Sequence, residues 1–309
     1  MINVTEFKSL AEFMEHFHDE QTCREHFAAI RFRDGTYCPH CGHTKIYTFG
    51  NGKRYRCADC KKDFTIVTGT VFGETKLPLR KWFIAIYLLA NSSKGISSVQ
   101  LSQHAGVTQK TAWFMDHRLR SAMKQNKGQL QGTIEADETF IGGLSKNMHK
   151  KKREAKITGT GGVNKTPVFG MKSRDGEIRA QVVPSVGMVD LHKAIDQNVA
   201  KGATLFTDQW VAYRGLKMSY KHSIVNHSNK EYVRGDVHTN SIESFWALFK
   251  RAYHGIYHQM SKKHLQKYVD ECAFRLNLKS QEMEFPQVFA QTVTRAADGQ
   301  HLPYKELIA

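Results

Sequence analysis

Apolar residues recur at helical spacing through the first 35 positions, Phe7, Leu10, Phe13 and Phe17 followed by Phe27 and Ile30, and the pattern stops at the Asp34-Gly35 turn. This predicts a helical preface over 1–35. Between 36 and 70 the period shortens, and Lys45-Ile-Tyr-Thr-Phe49 and Lys53-Arg-Tyr-Arg56 read as short strands. Helical spacing returns from Leu77 to Met123. Its longest apolar run, Trp82 to Ala90, falls well below the roughly 18 residues of a membrane span and predicts a buried helix. Ser97 to Gly106 then predicts a short helix closed by a glycine, with Thr108 placed to cap a second one. Helix, glycine turn and helix make a helix-turn-helix region over 77–126. Its second helix would face a DNA major groove with Gln109, Lys110 and Thr111, backed by the basic Arg118 and Arg120.

A second region spans 130–280. Gly132 to Gly143 is a β-rich run that ends on a glycine pair and carries Asp137 in its middle. A segment from Lys146 follows, with Lys150, Lys151, Lys152, Arg153 and Lys156, then Gly159, Gly161 and Gly162; it reads as a mobile basic loop suited to DNA. Thr166 to Lys172 and Ile178 to Pro184 flank an Arg174-Asp175-Gly176-Glu177 turn and predict a hairpin. Met188 to Val199 is an amphipathic helix, Ala203 to Gln209 a strand ending near Asp208, and Tyr220 to Val225 a fifth strand reached through another helix. The sum is a mixed five-stranded α/β sheet with flanking helices. From His238 to Tyr257 a helix buries Ile242, Phe245, Trp246, Phe249, Tyr253 and Ile256, with Glu243, Lys250 and His254 along its flank. The C-terminal tail, 281–309, is helical from Phe285 to Ala297 and suggests no task.

Composition narrows the class. A chain of 309 residues has room for two domains, and 40% hydrophobic residues with 6 prolines exclude a disordered or collagen-like protein. A net charge of +16 is more positive than solubility requires and points to a polyanionic partner. The first residues show neither a basic nor an apolar secretory segment, so the expected location is the cytoplasm, with no membrane partner. There six cysteines stay reduced, and four of them form Cys38-x-x-Cys41 and Cys57-x-x-Cys60 with 15 residues between the pairs. Two such knuckles aim four thiolates at one tetrahedral ion, the signature of a structural zinc ribbon over 36–70. His40 and His43 are available as substitute ligands, although four thiolates already close the site; Cys23 and Cys272 read as ordinary buried thiols.

Carboxylates carry the chemistry of the second region. Asp137 in one strand, Asp208 at the end of another and Glu243 on a helix come from distant sequence and would converge at one sheet edge. Hard oxygen donors suit Mg²⁺ or Mn²⁺, and two such ions can activate an attacking oxygen and stabilise a leaving one at a phosphodiester. In that arrangement Asp137 bridges both ions, Asp208 and Glu243 each hold one, and Lys250 meets a DNA phosphate. Asn240-Ser-Ile-Glu243 also fits a capping box in which Asn240 caps the helix and Glu243 reaches back to an amide, which would give Glu243 a structural role and leave Asn240, within the same turn, as the rival third ligand. Glu135 and Glu138 flank Asp137 as weaker candidates; strand alternation puts Glu135 on the face of Asp137, and one of the two reads as an ion-pair partner in place of a ligand. His238, His254 and His258 read as DNA or surface contacts.

The two cysteine pairs, Glu135-Ala-Asp-Glu-Thr-Phe-Ile-Gly-Gly143, Phe206-Thr-Asp-Gln-Trp210 and the block from His238 to Arg251 together resemble the zinc-ribbon DDE transposases of bacterial insertion sequences, the ISXO-like group related to Merlin elements. The resemblance covers roughly residues 20 to 280. It implies a ribonuclease-H-like catalytic fold, two metal ions, nicking at element ends and strand transfer by the freed 3′ hydroxyl. The spacing between Asp208 and Glu243, and Lys250 seven residues on, fit the family pattern. A transposase must hold two DNA ends, which implies a homodimer or larger in the DNA complex of a nucleoid-associated bacterial protein. A catalytically inactive DNA-binding regulator derived from a transposase, or another ribonuclease-H-like nuclease such as a junction resolvase, stays open as an alternative.

Overall fold

The computed structural model describes residues 7–50, 52–125, 128–143, 147–157, 162–225 and 233–308. The chain divides into two compact units, one formed by 1–124 with 283–309 and the other by 125–282.

In the first unit, α1 (Leu10–His16) starts on Ser9 and α2 (Glu20–Arg31) on Asp19, whose carboxylate accepts the Thr22 amide at 2.8 Å. The preface is therefore two capped helices that bury the predicted Phe13, Phe17, Phe27 and Ile30. An antiparallel three-stranded sheet follows, β1 (Ile46–Phe49), β2 (Arg54–Cys57) and β3 (Asp63–Phe64). Next comes α3 (Leu79–Asn91), the buried helix expected from its apolar run. Then α4 (Ser98–Ala105) ends on Gly106 at φ +59°, and α5 (Gln109–Ala122) starts on Thr108, whose hydroxyl accepts the Thr111 amide. The glycine supplies the left-handed residue that a sharp turn between two helices needs.

The C-terminal residues join this unit. The helix from Phe285 to Asp298 puts Phe289 among Phe7, Phe13, Phe17 and Phe83, with ring centroids 5.4 to 5.7 Å apart, and Phe285 against Tyr87 at 4.8 Å. At its other end Asp298 receives two hydrogen bonds from the Arg33 guanidinium, both 3.1 Å. A short last helix, Tyr304–Ile308, buries Leu307. The tail is core, closing the aromatic cluster that the preface opens.

The second unit holds β4 (Thr133–Ile141), α6 (Lys150–Lys156), β5 (Thr166–Ser173), β6 (Ile178–Val182), α7 (Met188–Asn198), β7 (Thr204–Asp208), β8 (Lys221–Val225), α8 (Asn240–Ala252) and α9 (Leu265–Ser280). The sheet order is β6-β5-β4-β7-β8; the first three strands are antiparallel, and β7 and β8 run parallel to β4. This is the ribonuclease-H-like mixed sheet that the resemblance implied. Alternation along β4 sends Ile134 and Ala136 into a core with Leu191, Ile195 and Leu205, and Ile141 into a core with Ile242, Phe245, Trp246 and Val269.

Three local expectations change. The basic segment from Lys150 to Lys156 is a helix, α6, where a mobile loop was expected; its run of lysine, arginine and glutamate is composed of good helix formers. Lys146, Gly159 and Gly161 of that segment lie outside the described residues, as do the side chains of Lys152 and Lys156. Between β7 and β8 the expected helix is replaced by two 3₁₀ turns, Val211–Tyr213 and Leu216–Met218, broken at Gly215 with φ +86°. Finally, α8 runs into a π-helical turn over Tyr253–Tyr257, which rotates Ile256 away from the buried stripe to a half-buried position.

Candidate active site

The β4–β7 register brings the first two carboxylates together. Thr133, Ile134 and Glu135 pair with Thr204, Leu205 and Phe206, and the same register continued by two residues puts Asp137 beside Asp208 on one face of the sheet. The third comes from α8, which can lie close to the sheet because Gly170 on β5 is paired with Asp137. A Cβ at Gly170 would stand 2.5 Å from the Trp246 indole, so only glycine leaves room for that ring. Glu243, one helical turn before Trp246, is thereby near enough to Asp137 for their charges to repel.

The electrostatics record the crowding. The Asp137 carboxyl is pushed up to about 7, first by burial and then by Glu138, with Asp208 and Glu243 adding to the repulsion. Glu138 points to the opposite face, where the Tyr213 hydroxyl donates to it, and burial raises its carboxyl as well. Asp208 accepts the Trp210 amide at 2.9 Å, and Glu243 accepts the Thr239 hydroxyl at 2.9 Å. Oxygen donors that repel one another in a half-buried setting fit a divalent cation, whose charge would cancel the repulsion.

The alternative capping box over Asn240-Ser-Ile-Glu243 does not form. Thr239, one residue before Asn240, is the N-cap of α8, and it makes no side-chain cap bond. Asn240 is the exposed first residue of the helix, and the Glu243 side chain meets a hydroxyl where an amide was expected. The open helix end is satisfied instead by Glu135, whose Oε2 accepts the Ser241 and Ile242 amides at 2.8 and 3.2 Å. Strand alternation was the signal that placed Glu135 on this face, but its capping role depends on a helix 106 residues away in sequence. His238 belongs to the same cluster, with Nδ1 3.2 Å from Glu135, while His254 and His258 are exposed. Lys250 is exposed two turns along α8 from Glu243.

In the first unit, the Sγ atoms of Cys38, Cys41, Cys57 and Cys60 lie within 4.8 Å of one another, with Cys38–Cys60 at 3.7 Å and Cys41–Cys57 at 3.6 Å. A tetrahedral zinc with Zn–S near 2.3 Å requires sulfurs about 3.8 Å apart, so the cluster fits structural Zn²⁺ closely. The His40 and Asp59 amides each donate to a sulfur at 3.4 Å, the usual support for thiolate charge in a knuckle. Among the described residues this is the one group of three or more metal-ligand side chains gathered so tightly. Cys23 and Cys272 are buried thiols, both pushed up to about 12 with burial as the largest cause.

The helix-turn-helix leaves Gln109 and Lys110 exposed and Thr111 half-buried. Gln109 donates to the Ser98 hydroxyl at 2.8 Å and Thr111 shares a hydrogen bond with Thr108, so both also brace the motif. Lys110 lies over the Tyr304 ring at 5.2 Å. Arg118 and Arg120, expected to contact DNA, are both 1% exposed and cannot reach it. Arg118 donates to the Gly73 carbonyl and stacks on Trp82 and Phe114, and Arg120 faces Asp116. Their positions on α5 point inward, a fact that a count of basic residues does not reveal. Lys150, Lys151 and Arg153 are exposed on α6. No helix among the described residues is long and apolar enough to cross a membrane.

Residues 129–277 match the ISXO2-like transposase domain and residues 18–63 the transposase zinc-ribbon domain. An uncharacterized protein in the transposable element ISH50 of Halobacterium salinarum is 30% identical over 248 residues, spanning 76% of this chain and 83% of that one. Among solved structures, the pre-cleavage Mos1 transpososome aligns at 13% identity and a TM-score of 0.25, over 71% of this chain and 79% of that chain.

Proposed function

The chain belongs to the ISXO2-like transposases that carry an N-terminal zinc ribbon, and from that premise we propose that it binds the ends of its own insertion element and catalyses metal-dependent DNA cleavage and strand transfer. The observation that carries the reading is that Asp137 lies beside Asp208 across the β4–β7 pair and has Glu243 as a further charged neighbour, with its carboxyl held at about 7 chiefly by burial and further by neighbouring carboxylates. These three would hold two Mg²⁺ or Mn²⁺ ions. When bound, the metals supply activation of the attacking oxygen and stabilisation of the leaving one at the scissile phosphodiester.

The chain's own residues do the remaining work. Asp137 would have to give up its proton to serve as a ligand, so metal binding there would compete with protons. Asp208 is aimed by its hydrogen bond from the Trp210 amide, and Glu243 by the Thr239 hydroxyl. Lys250, free of the buried face of α8, meets a DNA phosphate as a point charge. Lys110 with Gln109 and Thr111 in the helix-turn-helix, and Lys150, Lys151, Lys152 and Arg153 in α6, supply backbone and groove contacts. The working assembly is a dimer or larger on paired DNA ends in the bacterial cytoplasm, associated with the nucleoid.

The test is Mg²⁺- or Mn²⁺-dependent nicking and joining of DNA cut from the flanks of the protein's own gene, with wild type beside Asp208→Asn, Glu243→Gln and Asn240→Ala. Loss in the first two with activity kept in the third supports the triad as written. Loss in Asn240→Ala with activity kept in Glu243→Gln moves the third ligand to Asn240. End binding without cleavage under either metal replaces the enzyme with a DNA-binding regulator.

A further inference from the structure

We infer that Glu135 is a positioning residue that fixes the N-terminal turn of α8, and with it Glu243, against the sheet edge that carries Asp137. The inference rests on the proposed role of Glu243. Glu135 is 0% exposed and lies two residues from Asp137 on the same face of β4. A buried carboxylate needs partners, and all those of Glu135 come from chain segments outside β4. Oε2 accepts the Ser241 and Ile242 amides, while Oε1 lies 3.2 Å from Arg174 Nε and 3.2 Å from His238 Nδ1.

The four contacts form one latch. The Ser241 and Ile242 amides belong to the first turn of α8, where amides have no partner within the helix and where Thr239 offers no side-chain cap. A negative charge at that end also opposes the positive pole of the helix dipole. Arg174, at the β5–β6 turn, reaches past Glu135 to donate to the Asp236 carbonyl at 2.6 Å and lies over the Phe206 ring at 5.5 Å. The backbone leading into α8 is thus held at Asp236, Ser241 and Ile242 by one guanidinium and one carboxylate, with the His238 ring beside them. Glu243 is the next residue after the last of these. Its placement near Asp137 depends on where this turn is pinned, and Glu135 pins it from the strand that carries Asp137 itself.

The prediction is coupling between Glu135 and Glu243. Glu135→Ala leaves two amides unpaired and frees the turn, and a shift of about 1 Å in a reacting group costs on the order of 100-fold in rate. Glu135→Gln keeps an acceptor oxygen for the amides and loses less. Because Glu135 acts through Glu243, a Glu135→Ala/Glu243→Gln double variant falls no further than Glu243→Gln alone.

The experiment measures Mn²⁺ binding to the full-length protein by EPR titration, and nicking of end DNA, for these variants and for Arg174→Gln. Arg174→Gln removes the outer half of the latch at a partly exposed site and is expected to lose about tenfold, the weight of one hydrogen bond to a charged group. It decides the matter if Glu135→Ala does not fold. Weaker Mn²⁺ binding in Glu135→Ala or Arg174→Gln, absent when Glu243 is already Gln, supports the inference. Losses that multiply with Glu243→Gln, or wild-type Mn²⁺ affinity in both Glu135→Ala and Arg174→Gln, overturn it. Should Glu243→Gln itself bind Mn²⁺ and nick like wild type, the triad falls, whatever Glu135 does.

Discussion

Gly170→Ala is the smallest change that tests how the second unit builds its site. The added methyl would stand 2.5 Å from Cζ2 and 2.8 Å from Cη2 of Trp246, and 3.0 Å from Cδ1 of Ile242. Carbon atoms pack at about 3.5 Å or more, so the indole must retreat by about 1 Å. Trp246 is 3% exposed and packs on Phe245 with ring centroids 4.7 Å apart, so the ring cannot simply swing into solvent. Overpacking of this kind costs about 1–3 kcal/mol, and in a unit of this size each kcal/mol lowers Tm by about 2–4 °C. If α8 moves with the ring, Glu243 moves away from Asp137, and nicking falls by about 100-fold. The assay is calorimetry and nicking of wild type, Gly170→Ala, and Gly170→Ala with Trp246→Phe, which removes the two nearest carbons. Gly143→Ala is the control, since nothing among the described residues lies within 4 Å of its added methyl. A Gly170→Ala protein that melts and nicks like wild type would refute the close approach. One that melts early but nicks normally would refute the link between α8 and the carboxylates.

Other outcomes follow from the same geometry. Elemental analysis should find one zinc per chain, lost in Cys57→Ser and kept in Cys23→Ser and Cys272→Ser, since only the former is within the four-sulfur cluster. His222 is 8% exposed, and its imidazole is lowered from 6.5 to about 4, mainly by burial. The unfolded chain therefore takes up a proton that the folded one refuses, and this contribution is present above pH 6.5 and lost as pH falls toward 4, by about 3 kcal/mol at most. Urea titrations at pH 5 and 7.5 should show a smaller difference in His222→Gln, and an unchanged difference would discard the buried neutral imidazole. Arg118→Met should lose about 2 kcal/mol of stability with its hydrogen bond while leaving the salt dependence of end binding intact. Lys110→Ala should instead lower the slope of log K against log salt by about one charge; the reverse pattern would put Arg118 at the DNA.

What could be read from the sequence depended on how local its cause was. Two CxxC knuckles, a glycine between two capped helices and five β-rich runs are written in adjacent residues, so the ribbon, the helix-turn-helix and the mixed sheet were all legible. Helix azimuth was read less well, because Arg118 and Arg120 look like a basic tail until Trp82, Phe114 and Asp116 are seen around them. Contacts across long sequence distances were not legible. Phe285 and Phe289 show an amphipathic helix but not that Phe7 and Phe13 complete it, and the partners of Glu135 come from two distant segments. The alternative capping box at Asn240 missed the helix start by a single residue, since a helix start is among the least sharply encoded features of a chain.

Glu135 and Asp137 show how one strand face assigns different work to the same chemistry. Both are carboxylates on β4, two residues apart, and both lie under α8. Glu135 accepts two amides at Oε2 and has the Arg174 guanidinium and the His238 ring 3.2 Å from Oε1, so its charge is answered by the protein. Asp137 has Glu138, Asp208 and Glu243 as its charged neighbours, and its charge is opposed by the protein, so its proton is held up to about 7. An answered carboxylate contributes to the fold, whereas an opposed one costs stability unless a cation joins it. That contrast separates the two more clearly than their burial does. It also explains why the proposed metal site needs a rigid support beside it: like charges push apart, and the helix that brings Glu243 to Asp137 stays in place only if something on the sheet holds it there.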